Sequence, residues 1–255
     1  MVSFATMLGL LVWVQEVSMA YSVTTFFDDM IPPKVISVAT LQRSGSTTVS
    51  RLIASQKCAV WGNEIFVGGG QDILNGHELA EYTIQEARDN PVQFLLDLNK
   101  IVCKSDDIPK ECNGRCTIVV KVFDNHLISE KGMEEMIARP DIGFVVLQRS
   151  LAEWYTSGWS AWKNNDWGTT PDGKRPEHRI FEEKNIPIPT KTRYLTWFNK
   201  LRNGLNGAGK LYLEIPFAAV KTCGLFDEIL PSVFSFFGMD IEEGVEIENL
   251  SLIHI

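Results

Sequence analysis

Apolar residues fall along this chain in two rhythms. Short, almost unbroken apolar runs of strand length alternate with longer stretches where apolar residues recur every three or four positions. The unbroken runs lie at 34–40, 58–61, 117–123, 141–148 and 210–215. A run that is apolar on both faces is what a strand covered by helices on each side requires. The helical rhythm occupies 47–56, 78–103 with a break near Pro91, 133–138, the stretch after Gln148 through Trp162, 192–205 and 225–237. On the fifth of these, Tyr194, Trp197, Phe198 and Leu201 form an apolar stripe suited to core packing. Strands alternating with helices predict an α/β fold, a three-layer domain with a mostly parallel central sheet and helices on both faces.

Two segments break the pattern. Val2 to Val14 is apolar apart from Ser3 and Thr6, and Ser18-Met19-Ala20 offers the small residues of a cleavage site. This reads as a signal peptide or short anchor over 1–20, too short for a membrane span of about 20 apolar residues. The rival reading is a helix packed on the domain. Residues 21–33 form a lead-in that ends in Pro32-Pro33, a natural boundary before the first strand. The second exception, 163–190, is rich in Asn, Asp, Gly, Pro and charge, with Trp167 and His178 interspersed. An irregular stretch of that length inside a domain is usually functional or disordered. Gly68-Gly69-Gly70 reads as a linker.

Bulk composition narrows the function without choosing it. A chain of 255 residues suffices for one α/β domain and does not demand two. A formal net charge of −8 argues against a nucleic-acid binder and disfavours a heavily anionic polymer as substrate. Cys103, Cys112 and Cys116 cluster in a segment of charge and turn residues, where two of them could staple a loop in an oxidising compartment. Cys58 and Cys223 stand in apolar surroundings and read as core residues. No fourth Cys or His stands at ligand spacing, so a zinc site is not expected. Asn249-Leu250-Ser251 is a glycosylation sequon near the end of the chain.

Candidate chemistry begins where the first apolar run ends, at Arg43-Ser44-Gly45-Ser46-Thr47-Thr48. Free N–H groups at a helix start, a glycine that admits close backbone approach and three hydroxyls suit an anion such as phosphate. The nucleotide-hydrolysing pattern Gly-x4-Gly-Lys-Ser/Thr is absent, because the cation precedes the single glycine. A second cation, Arg149, follows the run ending at Gln148, and Ser157 comes eight residues later. Arg149 falls at a strand's carboxyl end, where α/β sheets bind ligands, and Ser157 about two helical turns beyond it.

These two segments resemble the signatures of the PAPS-dependent sulfotransferases. Arg43 to Thr48 is similar to their phosphosulfate-binding loop, in the form found in carbohydrate and bacterial glycolipid-type members. Arg149 and Ser157 are similar to the pair that grips the 3′-phosphate. The resemblance covers about 34–240 and rests on these two places. It implies a P-loop NTPase-like fold and sulfuryl transfer from 3′-phosphoadenosine 5′-phosphosulfate (PAPS), without metal. The acceptor would carry a hydroxyl or amine, with a carbohydrate or small alcohol preferred and a phenol also compatible. The resemblance makes 163–190 an acceptor-facing lid and Arg43 a stabiliser of leaving-group charge, while the signal-like first twenty residues and the cysteines suggest the secretory pathway, with the cytoplasm as the alternative. Nucleic acid is not an expected partner, and membrane contact is expected only through a short N-terminal anchor.

Two catalytic roles stay open in the sequence. Lys121 interrupts an apolar strand, which is costly unless its head meets an anion or snorkels outward from an edge. Glu64, in Gly62-Asn63-Glu64-Ile65-Phe66, resembles the glutamate base of glycolipid-type members, although Asn63 departs from their pattern. His126 competes, as the family's histidine base lies near this point, but it stands five residues past Lys121 rather than two. Glu214 sits where other members often have a Tyr-Glu-Asp run, and without the Asp it is given no role. A P-loop kinase or hydrolase would explain the loop, yet no magnesium-binding acid ends a strand. A non-catalytic relative would bind nucleotide and transfer nothing.

Overall fold

The structure is a computed structural model, and it describes residues 32–66, 82–104, 108–112, 115–126, 128–163, 179–221, 231 and 233–239. The expected signal segment, the Gly68–Gly70 linker, most of the expected lid, Cys223, the sequon and the start of the last helix lie outside these residues.

Five strands form one sheet in the order β2-β3-β1-β4-β5, every pair parallel. They are β1 (Val35–Thr40), β2 (Ala59–Asn63), β3 (Thr117–Phe123), β4 (Ile142–Gln148) and β5 (Leu213–Pro216). Every residue of β1 and β3 is buried, as their two-sided apolar runs require. The α-helices among the described residues include α1 (Ser46–Ile53), α2 (Ile84–Asp89), α3 (Pro91–Val102), α4 (Glu130–Ala138), α5 (Leu151–Lys163), α6 (Ile188–Gly207) and α7 (Phe217–Lys221). The α/β class with a parallel sheet and helices on both faces is therefore what the chain adopts.

Local chemistry sets the boundaries. Thr83 opens α2 with a capping box, its hydroxyl accepting from Glu86 N while the Glu86 carboxylate accepts from Thr83 N. Pro91 starts a new helix instead of ending one, because a missing N–H costs nothing in the first turn. Ser129 accepts from Gly132 N and so begins α4 three residues before the apolar rhythm does. The same effect hides the start of α6. Its first turn carries Pro189, so the helix begins at Ile188, inside a stretch that reads as irregular. The last strand is shorter than its apolar run, beginning at Leu213.

Sheet order places the ligand crevice. From β1 the chain passes into α1, whose Val49, Leu52 and Ile53 join Ile36, Val38, Val145 and Leu147 on one face. From the neighbouring β4 it passes into α5, which sends Leu151 to the opposite face, among Val35, Phe144 and Val146. Adjacent strands whose following helices leave on opposite sides open a crevice at their carboxyl ends. The loop after β1 and Arg149 after β4 stand at that crevice.

The amino edge of the sheet is tied covalently. Cys58, directly before β2, bonds Cys112, and Cys103, at the end of α3, bonds Cys116, directly before β3. Cys58 is thus cross-linked, not the free core thiol its apolar neighbours suggest, and only one pair lies within the expected cluster. Asn99 adds a polar tie at the same edge, donating to Lys34 O at 2.9 Å and Cys116 O at 2.8 Å. Two disulfides indicate an oxidising compartment. Among the described residues no helix is long and apolar enough to cross a membrane.

The sequence separation of 54 for Cys58–Cys112 against 13 for Cys103–Cys116 ranks the two cross-links. Paired Cys→Ser replacement should cost about 4 kcal/mol at the first and about 3 kcal/mol at the second by loop-closure entropy. The loops interleave, so the two losses should not add. Urea titration of both variants checks the ranking, and equal losses would contradict the entropic account.

Candidate active site

The loop between β1 and α1 is built from two residues in the left-handed region. Gly45 has φ +76° and is the N-cap of α1, and Arg43 has φ +66°. No side chain caps this helix among the described residues, so its first N–H groups face the loop. Ser44 and Ser46 are buried, while Arg43, Gly45, Thr47 and Thr48 are partly open. A left-handed arginine costs on the order of 1 kcal/mol and persists only where its surroundings compensate. The compensation comes from beyond β4. Arg149 Nη1 donates to Arg43 O at 2.8 Å, and Trp154 Nε1 donates to Gln42 O at 2.8 Å. Thr40 Oγ1, at the end of β1, donates to Leu147 O at 2.5 Å and locks the two strand ends in register.

Arg149 is only 6% exposed. Its own carbonyl accepts from Tyr194 Oη at 2.5 Å, and Gln148 Nε2 donates to that same hydroxyl at 2.9 Å, so α6 fixes the backbone carrying the guanidinium. Arg149 Nε is buried without a hydrogen-bond partner among the described residues. Burial, reinforced by the nearby Arg43 charge, pushes the Arg149 pKa down to about 10. A buried cation with unfilled donor capacity is a ready partner for an anion. Ser157 is partly open on α5, two turns along the helix that begins beside Arg149.

Lys121 settles its ambiguity toward the interior. β3 lies between β2 and β1, so this is not an edge strand, and Lys121 is 2% exposed. Its Nζ donates to Thr47 Oγ1 at 3.0 Å and to Glu64 Oε1 at 2.7 Å. Burial lowers the Lys121 pKa, the bond and charge of Glu64 oppose that shift, and the Arg51 charge adds to it. The Glu64 side chain keeps 31% exposure, so it reaches from the ammonium to open space. An irregularity in the β2–β3 ladder between Trp61 and Asn63, with Asn63 at φ +55°, aims Glu64 at Lys121. Loop, lysine and glutamate are therefore one constellation.

His126 is in a different situation. It is 0% exposed, packed against the rings of Phe66 and Phe123, with Nδ1 accepting from Phe123 N at 3.3 Å. Burial, helped by the Arg88 and Lys121 charges, drives its pKa down to about 3. A neutral imidazole without access to solvent is poorly placed to take a proton from a substrate.

Three side chains with no evident sequence signal complete the site. Trp154 holds the Gln42 carbonyl. Trp61 donates from Nε1 to Ser50 Oγ at 3.0 Å and carries the exposed Arg51 guanidinium 4.3 Å above its ring. Phe217 begins α7 and lies against both the loop and Arg149.

No protein-family model and no curated protein matches this chain. Among solved structures it is similar to the crystal structure of sulfotransferase STF1 from Mycobacterium tuberculosis H37Rv, at 12% identity and a TM-score of 0.42. The alignment spans 89% of this chain and 73% of that one.

Buried His126 makes a specific demand on pH. Its folded pKa lies below the unfolded value, so the folded state binds fewer protons, and its stability contribution is full above about pH 6.5. That contribution should fall as pH drops toward 3, by about 2 kcal/mol between pH 7 and pH 5. Urea titrations at the two pH values, on the native chain and on His126→Gln, measure it. A native chain no more pH-sensitive than the variant would contradict a buried neutral imidazole.

Proposed function

We propose that the protein is a sulfotransferase that moves a sulfuryl group from PAPS to a hydroxyl acceptor. The observation that supports this best is the pairing of two cationic anion sites across one crevice. One is the uncapped helix start with Arg43, and the other is the buried, partly unsatisfied Arg149. Two such sites on adjacent strands suit a nucleotide with anionic groups at both its 5′ and 3′ ends. The loop from Ser44 to Thr48 would hold the 5′ phosphosulfate by N–H and hydroxyl donors. Arg149, with Ser157, would hold the 3′-phosphate.

Each step has a residue that can carry it. Glu64, one oxygen held by Lys121 and the other side open, would accept the proton of the acceptor hydroxyl. The acceptor oxygen then bonds to sulfur as the sulfur–oxygen bond to the phosphate breaks. Arg43 and the Lys121 ammonium would stabilise the charge left on that phosphate oxygen, and 3′-phosphoadenosine 5′-phosphate departs. In this reading His126 supports the end of β3 and takes no proton. The acceptor we favour is a carbohydrate or small alcohol, met by the lid over 163–190. The disulfides and the signal-like first twenty residues support action in the secretory lumen.

Titration calorimetry tests the nucleotide. The native chain should bind 3′-phosphoadenosine 5′-phosphate at least about tenfold more tightly than 5′-AMP, and Arg149→Ala should lose about 10- to 100-fold on the former. Equal affinity for both nucleotides would overturn the assignment. In transfer assays from PAPS, Arg43→Ala and Glu64→Gln should each lower kcat by about 100-fold or more while the nucleotide still binds Glu64→Gln. A requirement for magnesium would favour phosphoryl chemistry instead.

A further inference from the structure

Phe217 touches both halves of the anion site. It follows Pro216, which pairs with Gln148 across the β4–β5 ladder, and Arg149 follows Gln148. The two residues therefore leave neighbouring parallel strands at the same level. The Phe217 ring is 1% exposed, and the Arg149 guanidinium carbon lies 4.3 Å from its centroid. Its other contact is with the loop. A Cβ added to Gly45 would fall 2.3 Å from Phe217 Cε2 and 2.9 Å from Cδ2. The ring thus occupies the space that any side chain at Gly45 would need, and it touches the loop where the helix starts.

This contact constrains the guanidinium beyond simple packing. A ring at this distance attracts the guanidinium through its quadrupole. One in-plane donor, Nη1, is already committed to the Arg43 carbonyl. Ring and carbonyl together restrict where the guanidinium can sit. The same ring fixes the loop at Gly45. The separation between the two anion sites is then set by one rigid side chain.

We propose that Phe217 is a positioning residue that spaces Arg149 from the phosphate-binding loop and thereby sets the preference for a nucleotide phosphorylated at 3′ as well as 5′. The inference rests on the nucleotide reading given above. Calorimetry with 3′-phosphoadenosine 5′-phosphate and with 5′-AMP, on the native chain, Phe217→Leu and Phe217→Tyr, tests it. Phe217→Leu should lose about tenfold on the doubly phosphorylated nucleotide and stay within about twofold on 5′-AMP, so that the preference collapses. Phe217→Tyr, which keeps the ring, should retain most of the preference. Losses of equal size on both nucleotides, or on neither, would reduce Phe217 to filler and overturn the proposal. If the native chain itself shows no preference, the nucleotide reading fails and this inference fails with it. Should Phe217→Leu not fold by circular dichroism, Phe217→Met, also ringless and flexible, takes its place.

Discussion

One buried ammonium constrains the active edge of this sheet. Lys121 sits in a fully buried strand, and a charge there is destabilising by several kcal/mol unless it is paired and hydrogen-bonded. Thr47 and Glu64 supply the partners, one from the first turn of α1 and the other from just past β2. Three separate segments are thereby held at a common point. An apolar residue at 121 would satisfy the fold equally well, since buried ion pairs can often be replaced by hydrophobic packing without loss. The lysine is better understood as a chemical group kept beside the loop that opens α1. The strained backbone at Asn63 supports this view, because it serves chiefly to bring Glu64 within reach.

Around that point the positive groups are arranged against the protein's overall sign. The chain carries a formal charge of −8, yet Arg43, Arg51, Lys121 and Arg149 gather at the carboxyl ends of β1, β3 and β4 or on the adjoining helix. A local cationic crevice on an acidic body draws small anions while discouraging large polyanions. The two arginines also differ in kind. Arg149 is held by carbonyl, ring and backbone contacts and is largely immobile, whereas Arg43 is partly open. A rigid contact suits recognition of a fixed end of a ligand, and an open one suits a group whose charge changes during reaction.

Much of this is legible in the sequence wherever the signal is local. The apolar runs mark β1, β3 and β4 almost to the residue, because strands buried on both faces leave little room for polar positions. The loop at 43–48 and Arg149 stand out as candidates because hydroxyls, a glycine and cations directly follow such strands, and the fold brings the two segments together. What stays hidden is set by pairing across the chain. The partnership of Lys121 and Glu64 spans 57 residues, and nothing near either residue announces the other. Cys58 resembles a core thiol because its neighbours are apolar, and its bond to Cys112 is a property of the folded edge. The contact of Phe217 with Gly45 and Arg149 depends on β5 lying next to β4, an order that no local pattern encodes. Helix starts at Ile188 and Glu130 are obscured by proline and by a serine cap, both of which lie outside the apolar rhythm.

The two cross-links have a mechanical meaning apart from their number. Cys58 and Cys116 stand at the amino ends of β2 and β3, whereas the proposed site lies toward the carboxyl ends and on the helices that follow them. The sheet is clamped covalently at its base, while the described residues at its working rim are held by non-covalent ties such as Lys121–Glu64, Lys121–Thr47 and Thr40–Leu147. Fluctuations that part the strands from the rim downward break the Lys121–Glu64 ion pair, hydrogen bonds and packing, while those that start at the base must also work against covalent bonds. Opening of β2 and β3 is thereby opposed by an ion pair and hydrogen bonds beside Glu64 and by covalent bonds beside the cystines. The rim can therefore yield and re-form through reversible contacts, while the base stays covalently shut.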